Sequence, residues 1–88
     1  MTSPHVQIYS SDMCPYCVRA KRLLDRKGVR YEEIHIPLSD HSARERLAEI
    51  TGRFTVPQVI IGGRPVGGWD DLKALEDAGE LDPLLGAA

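Results

Sequence analysis

The sequence is short of most features that would mark a specialised surface or a membrane protein. Its 11 Lys and Arg are offset by 13 Asp and Glu, a formal charge of −2, which gives no electrostatic case for binding nucleic acid or an anionic membrane. No apolar run approaches the ~20 residues that a membrane-spanning helix needs. There is no internal repeat and no long low-complexity segment. Met1-Thr2-Ser3-Pro4-His5 lacks the basic-then-apolar order of an export signal, so a cytoplasmic protein is expected. Cysteine is scarce as well. The only two, Cys14 and Cys17, enclose a loop too small to constrain an unfolded chain much, which argues against a structural staple. Without an export signal, that spacing marks redox chemistry or metal binding.

What is present is an ordinary globular composition, 42% hydrophobic and 27% charged over 88 residues. It predicts one domain over residues 1–88, with one core and one site. Residues 5–9 alternate, with Val6 and Ile8 on one face, and predict a strand running into the polar loop Ser10-Ser11-Asp12-Met13. A helix is expected over 15–27, with Cys17, Ala20, Leu23 and Leu24 inward and Gly28 as its stop. Residues 31–36 predict a second strand, ended by Pro37. Ala43, Leu47 and Ile50 mark a second helix, with Ser42 and Glu45 as a capping box and Gly52 past its end. Residues 57–61 are apolar on both faces. They predict an inner strand turning through Gly62-Gly63 into Arg64-Pro65-Val66, which Pro65 assigns to an edge. Asp70 or Asp71 caps a third helix carrying Leu72, Leu75 and Ala78, which stops at Gly79 before a short tail containing Pro83. The fold class is α/β, in the order β-α-β-α-β-β-α: a four-stranded mixed sheet flanked by three helices, opened by a parallel strand pair with a right-handed crossover.

The chemistry concentrates in Cys14-Pro15-Tyr16-Cys17. A cysteine before proline serves as an N-cap, with Pro15 at the first helical position, where its missing N–H costs nothing. The sulfur of Cys14 then faces unpaired N–H groups and the positive end of the helix dipole, which favour a thiolate. A metal site is the rival reading, since His35 and His41 follow at finger-like spacing. The 17 residues between Cys17 and His35 exceed the ~12–15 of a zinc finger, and His35 falls on a strand. No metal is expected, and His5, His35 and His41 read as lone surface histidines.

Thr55-Val56-Pro57 ahead of the third strand and Gly67-Gly68-Trp69-Asp70-Asp71 ahead of the last helix complete a pattern. With Cys14-Pro15-Tyr16-Cys17, these segments resemble the dithiol glutaredoxins, the C-P-Y-C type of the thioredoxin fold, over nearly the whole chain. The resemblance implies a glutathione-dependent thiol–disulfide oxidoreductase, reducing glutathionylated and disulfide-containing proteins, with glutathione as co-substrate. Cys14 is then the nucleophile and Cys17 the resolving thiol. It implies a cis Pro57 that leaves the backbone of Val56 free to pair with an extended cysteinyl substrate beside Thr55. Tyr16 covers the substrate sulfur. Asp71 pairs with the amino group of the γ-glutamyl end, whose carboxylate takes the N–H groups of Trp69 and Asp70. Trp69 stands where relatives usually have a smaller residue.

One position departs from the family: many members carry a lysine three residues before the first cysteine, where this chain has Ser11. Arg53 or Arg44 is then expected to supply the missing cation. Arg19, Lys21, Arg22, Arg26 and Lys27 read as a solvated face of the first helix, from which Arg19 or Lys21 can favour the thiolate. A monomer is expected, with no nucleic acid or membrane partner. Two alternatives remain open. One is a dimeric module holding a 2Fe–2S cluster through Cys14 and two glutathiones, disfavoured by the rigid Pro15 and by Cys17. The other is an electron donor reduced by thioredoxin reductase.

Overall fold

The computed structural model describes residues 4–37 and 39–86; Met1-Thr2-Ser3 at the head of the chain lie outside them. Four strands, β1 (Val6–Ser10), β2 (Glu32–His35), β3 (Gln58–Ile61) and β4 (Arg64–Gly67), form one sheet in the order β2-β1-β3-β4. β1 runs parallel to β2, with Gln7 opposite Glu32, and antiparallel to β3, with Ile8 opposite Val59. β4 closes the far edge antiparallel to β3. Pro65, which has no N–H to give a further neighbour, sits on that edge as expected. The hairpin turns through Gly62 (φ 59°) and Gly63 (φ 79°), the two positive φ values that a tight turn matched to strand twist requires.

Among the described residues the helices are α1 (Pro15–Arg26), α2 (His41–Thr51), α3 (Trp69–Asp77) and the short α4 (Leu81–Leu84). The alternation of β1 decides where they pack. Val6 and Ile8, with Val59 and Ile61 of β3, bury one sheet face against Ala20, Leu23 and Leu24 of α1, Leu72 of α3, and Leu81 and Leu85 at α4. On the other side Ile60 is buried, and α2 turns in Leu47. Both faces of β3 are thus covered, which is why its sequence shows no polar alternation.

Local chemistry moves several boundaries. The Ser42–Glu45 capping box does not form, because α2 starts two residues earlier than that cap requires, at His41. Asp40 is extended there, and its Oδ1 accepts the Ala43 N–H at 3.1 Å, satisfying a donor that the helix leaves free. α3 likewise begins at Trp69 with Gly68 at its N-cap, so neither Asp70 nor Asp71 precedes the helix. Asp71 reaches back from the first turn, and its Oδ2 accepts the Gly68 N–H at 3.1 Å. The segment expected to be a tail is helical. Pro83 lies within the first turn, where no intrahelical N–H is required, and Leu81 and Leu85, four apart, both enter the core.

Since Leu24 is fully buried between α1 and the sheet, Leu24→Ala should cost about 2–5 kcal/mol. Urea unfolding checks this: the midpoint should fall while the slope stays unchanged.

Candidate active site

The β1–α1 loop ends at Cys14, the N-cap of α1 (φ −109°, ψ 103°), with Pro15 as the first helical residue. Cys14 Sγ accepts the Cys17 N–H at 3.2 Å. This puts a donor where negative charge on sulfur needs one. On its other side the same sulfur lies 4.0 Å from the carbonyl oxygen of Val56. The Val56–Pro57 peptide is cis, as the resemblance implies. The two thiols are unbonded and differ in setting: Cys14 is half-buried, Cys17 only 1% exposed. Burial first, and then the hydrogen bond with Cys14, push the Cys17 thiol up to about 12.

Beside Cys14 runs a groove of about 260 Å³. It gathers eight of the expected substrate-binding residues: Tyr16, Arg53, Thr55, Val56, Pro57, Trp69, Asp70 and Asp71. Tyr16 stays half exposed under the guanidinium of Arg19, 5.3 Å from its ring centroid, a cation–π distance. Arg19 is thereby engaged with the ring. Trp69 packs partly against the core while lining the groove.

At the groove's far end Asp71 Oδ2 accepts both the Gly68 N–H and, at 2.7 Å, Arg53 Nη1. Arg53 foremost, helped by the Gly68 N–H, holds the Asp71 carboxyl below the usual carboxylate range. This corner has no room for a side chain at Gly67 (φ 125°), because a Cβ there would overlap the Asp71 carboxylate. A Cβ on Gly68 would come within 3.2 Å of the Pro57 carbonyl oxygen. The glycine pair therefore lets the N-terminus of α3 settle against the loop before β3.

Arg44 is not part of this groove. It lies half-buried on α2, its Nε enclosed without a hydrogen-bond partner, so of the two arginines expected to supply a cation only Arg53 reaches the groove. Ser11 is buried, and its hydroxyl donates to the carbonyl of Ile36. It ties the active-site loop to the end of β2 instead of presenting a group to a ligand. Gln58 went unread in the sequence: it is 1% exposed, and its Nε2 donates to Thr55 Oγ1 at 3.2 Å. A glutamine opening an otherwise apolar strand was the available signal.

A second cleft, of about 460 Å³, opens on both cysteines from the opposite side, between Met13, Lys21, Glu33 and His35. Its lysine is already engaged: Lys21 Nζ lies 2.8 Å from Glu33, which also accepts the Ser10 hydroxyl at 2.6 Å. Each partner favours the other's charged form, so the Lys21 ammonium is raised and the Glu33 carboxyl lowered from their ordinary values. His35 meets Asp12 at 3.3 Å.

A parallel β1–β2 pair bridged by a helix, a hairpin continuing the sheet, and a C-x-x-C pair at a helix start facing a cis-proline loop define a thiol–disulfide oxidoreductase of the thioredoxin-like fold. The comparisons with known proteins are more specific. The glutaredoxin family model matches residues 6–66. A glutaredoxin of Pseudomonas aeruginosa is 54% identical over 84 residues, 96% of this chain and 99% of that one. Glutaredoxin 3 of Escherichia coli K12 is 49% identical over 82 residues, 92% of this chain and 96% of its own. Among solved structures, a buckwheat glutaredoxin–glutathione complex superposes with a TM-score of 0.82 at 36% identity, covering 94% of this chain and 77% of that one. The chain belongs to the glutaredoxin family.

The unequal settings of the two sulfurs have a measurable consequence. In Cys14→Ser, burial still holds the Cys17 proton, so iodoacetamide should leave Cys17 unmodified between about pH 6 and 9 in the native protein and label it once the chain is unfolded. Peptide mass mapping reads the result. Native labelling at the rate of a free thiol would contradict the assignment.

Proposed function

We propose that this protein is a glutathione-dependent oxidoreductase that reduces glutathionylated proteins and disulfides through a mixed disulfide on Cys14. One observation carries the reading. The accessible sulfur, Cys14 Sγ, stands 4.0 Å from the Val56 carbonyl, at the mouth of a groove that leads along Val56 and Thr55 to the carboxylate of Asp71. An extended peptide joined to that sulfur pairs with the Val56 backbone as an added strand would. Its γ-glutamyl ammonium then meets Asp71, and its carboxylate the Trp69 and Asp70 N–H groups at the start of α3. Arg53 supplies the cation absent at Ser11, and Tyr16 flanks the sulfur. The solved buckwheat complex with glutathione supports the same ligand here.

In the reaction, the Cys14 thiolate attacks the glutathionyl sulfur of the substrate. The substrate's S–S bond breaks, and the protein thiolate leaves to take a proton from water. A second glutathione thiolate then attacks the glutathionyl sulfur on Cys14, forming glutathione disulfide and returning Cys14 as a thiolate. For a protein disulfide, Cys17 attacks Cys14 Sγ in the second step, the mixed disulfide breaks and the substrate's second thiolate leaves to take a proton; the Cys14–Cys17 disulfide so formed is reopened by two glutathiones, which depart as glutathione disulfide. With its proton held up to about 12, Cys17 supplies far less thiolate at neutral pH than a free thiol, whose ordinary pKa is about 8.5. Turnover of glutathionylated substrates therefore runs through glutathione. We take residues 1–88 as one catalytic domain, acting as a monomer in the cytoplasm, where a family potential of about −200 to −230 mV suits a reductant drawing on the glutathione pool.

Reduction of a glutathionylated peptide, coupled to glutathione reductase and NADPH, tests the proposal. Cys14→Ser should fall to the uncatalysed background, while Cys17→Ser keeps most of the activity on this substrate and loses it on a protein disulfide. Full activity in Cys14→Ser, or no dependence on glutathione, would reject the mechanism.

A further inference from the structure

In the free protein the groove's anionic corner is already occupied. Arg53 leaves the α2–β3 connection, where Thr51 Oγ1 accepts its backbone N–H at 3.2 Å, and its Nη1 meets Asp71 Oδ2 at 2.7 Å. That oxygen also takes the Gly68 N–H, and the carboxylate fills the space that a side chain on Gly67 would need. Both side chains are partly exposed, 52% for Arg53 and 39% for Asp71. The pair is therefore a surface contact that a competing charge can open.

We infer that Arg53 and Asp71 form a clasp that a ligand opens by exchanging partners. The ligand's ammonium replaces the guanidinium on Asp71, and the released guanidinium takes a carboxylate of the same ligand. This rests on the proposed binding of a γ-glutamyl peptide in the groove and deepens it. Two cations on one carboxylate repel each other, and the incoming ammonium brings on its own molecule a carboxylate for the displaced arginine. The exchange begins with one charge pair, Arg53 on Asp71, and ends with two, the ammonium on Asp71 and Arg53 on the carboxylate. It makes the groove selective for a ligand that carries an ammonium and, besides the carboxylate held at the start of α3, a second carboxylate for Arg53: a carboxylate alone cannot replace Arg53 on Asp71, and an amine alone leaves Arg53 without an anion.

The clasp has a signature that a plain binding role lacks. Removing either partner deletes one ligand contact but also removes the cost of opening the pair. Removing both deletes two contacts and relieves that same cost only once. The double variant must therefore bind more weakly than the product of the two single effects, whereas a pair that stays together in the complex gives the opposite sign.

The test is calorimetric titration of S-methylglutathione, whose thioether cannot exchange, into the wild type, Arg53→Met, Asp71→Asn and the double variant, with circular dichroism confirming each fold. Asn keeps an acceptor for the Gly68 N–H, and Met keeps the apolar stem. The double variant should bind about two- to five-fold more weakly than the product of the single effects, the range of an exposed ion pair. A product that matches the double variant, or one that it exceeds in affinity, overturns the clasp. If wild type does not bind, the clasp falls together with the proposed glutathione site. Weakened binding in Asp71→Asn with simple multiplicativity leaves that site standing and removes the clasp alone.

Discussion

The hydrogen bond from the Cys17 N–H to Cys14 Sγ, at 3.2 Å, is the contact on which the rest of the structure depends for its meaning. It exists because a cysteine caps the helix and a proline follows it, so a free donor points at sulfur and no other side chain competes for it. The core then aims it. Ala20, Leu23 and Leu24 lock α1 against the sheet, and Ser11 fastens the preceding loop to the end of β2 through the Ile36 carbonyl. The sulfur's position is thus inherited from packing that lies well outside the active site.

From that placement follows an asymmetry. Three residues along the helix, Cys17 is turned inward and held protonated, while Cys14 remains at the surface between two openings. The cation that many relatives carry at the place of Ser11 has no equivalent there. Positive charge stands on either side instead, and each such group is already partnered: Lys21 by Glu33 and Arg53 by Asp71. In the unliganded protein these cations are committed to carboxylates of the chain itself. On the proposed glutathione site, recognition is an exchange among partners more than the filling of a vacant charge.

The sequence was legible wherever a local rule had no competitor. The apolar alternation of β1, the inward stripe of α1, the Gly62-Gly63 turn and the edge position of Pro65 all follow from periodicity or from backbone restrictions. The C-x-x-C pair, the Thr55-Val56-Pro57 loop and the Asp71 corner could be assembled into one groove only through resemblance, because nothing in spacing alone brings residues 14, 56 and 71 together. Where two polar residues competed to cap a helix, the sequence was ambiguous. Asp40 displaced Ser42 because its carboxylate reaches the Ala43 N–H from outside the first turn, and Asp71 capped α3 from within it. α4 was hidden because Pro83 reads as a breaker until Leu81 and Leu85 are seen to share a buried face. Arg44 and Arg53 were indistinguishable as cations in one dimension. Only the path of the chain after Gly52 brings Arg53 to the groove and leaves Arg44 on α2.

In the proposed function one sulfur, Cys14, presents a glutathionyl chain to the groove ending at Asp71. A crystal structure of Cys17→Ser trapped as its mixed disulfide with glutathione tests this most directly. The expected structure has a bond to Cys14 Sγ, the peptide paired with the Val56 backbone, and the γ-glutamyl ammonium on Asp71. A peptide lying instead in the cleft between Met13 and Lys21, with Asp71 untouched, would contradict it.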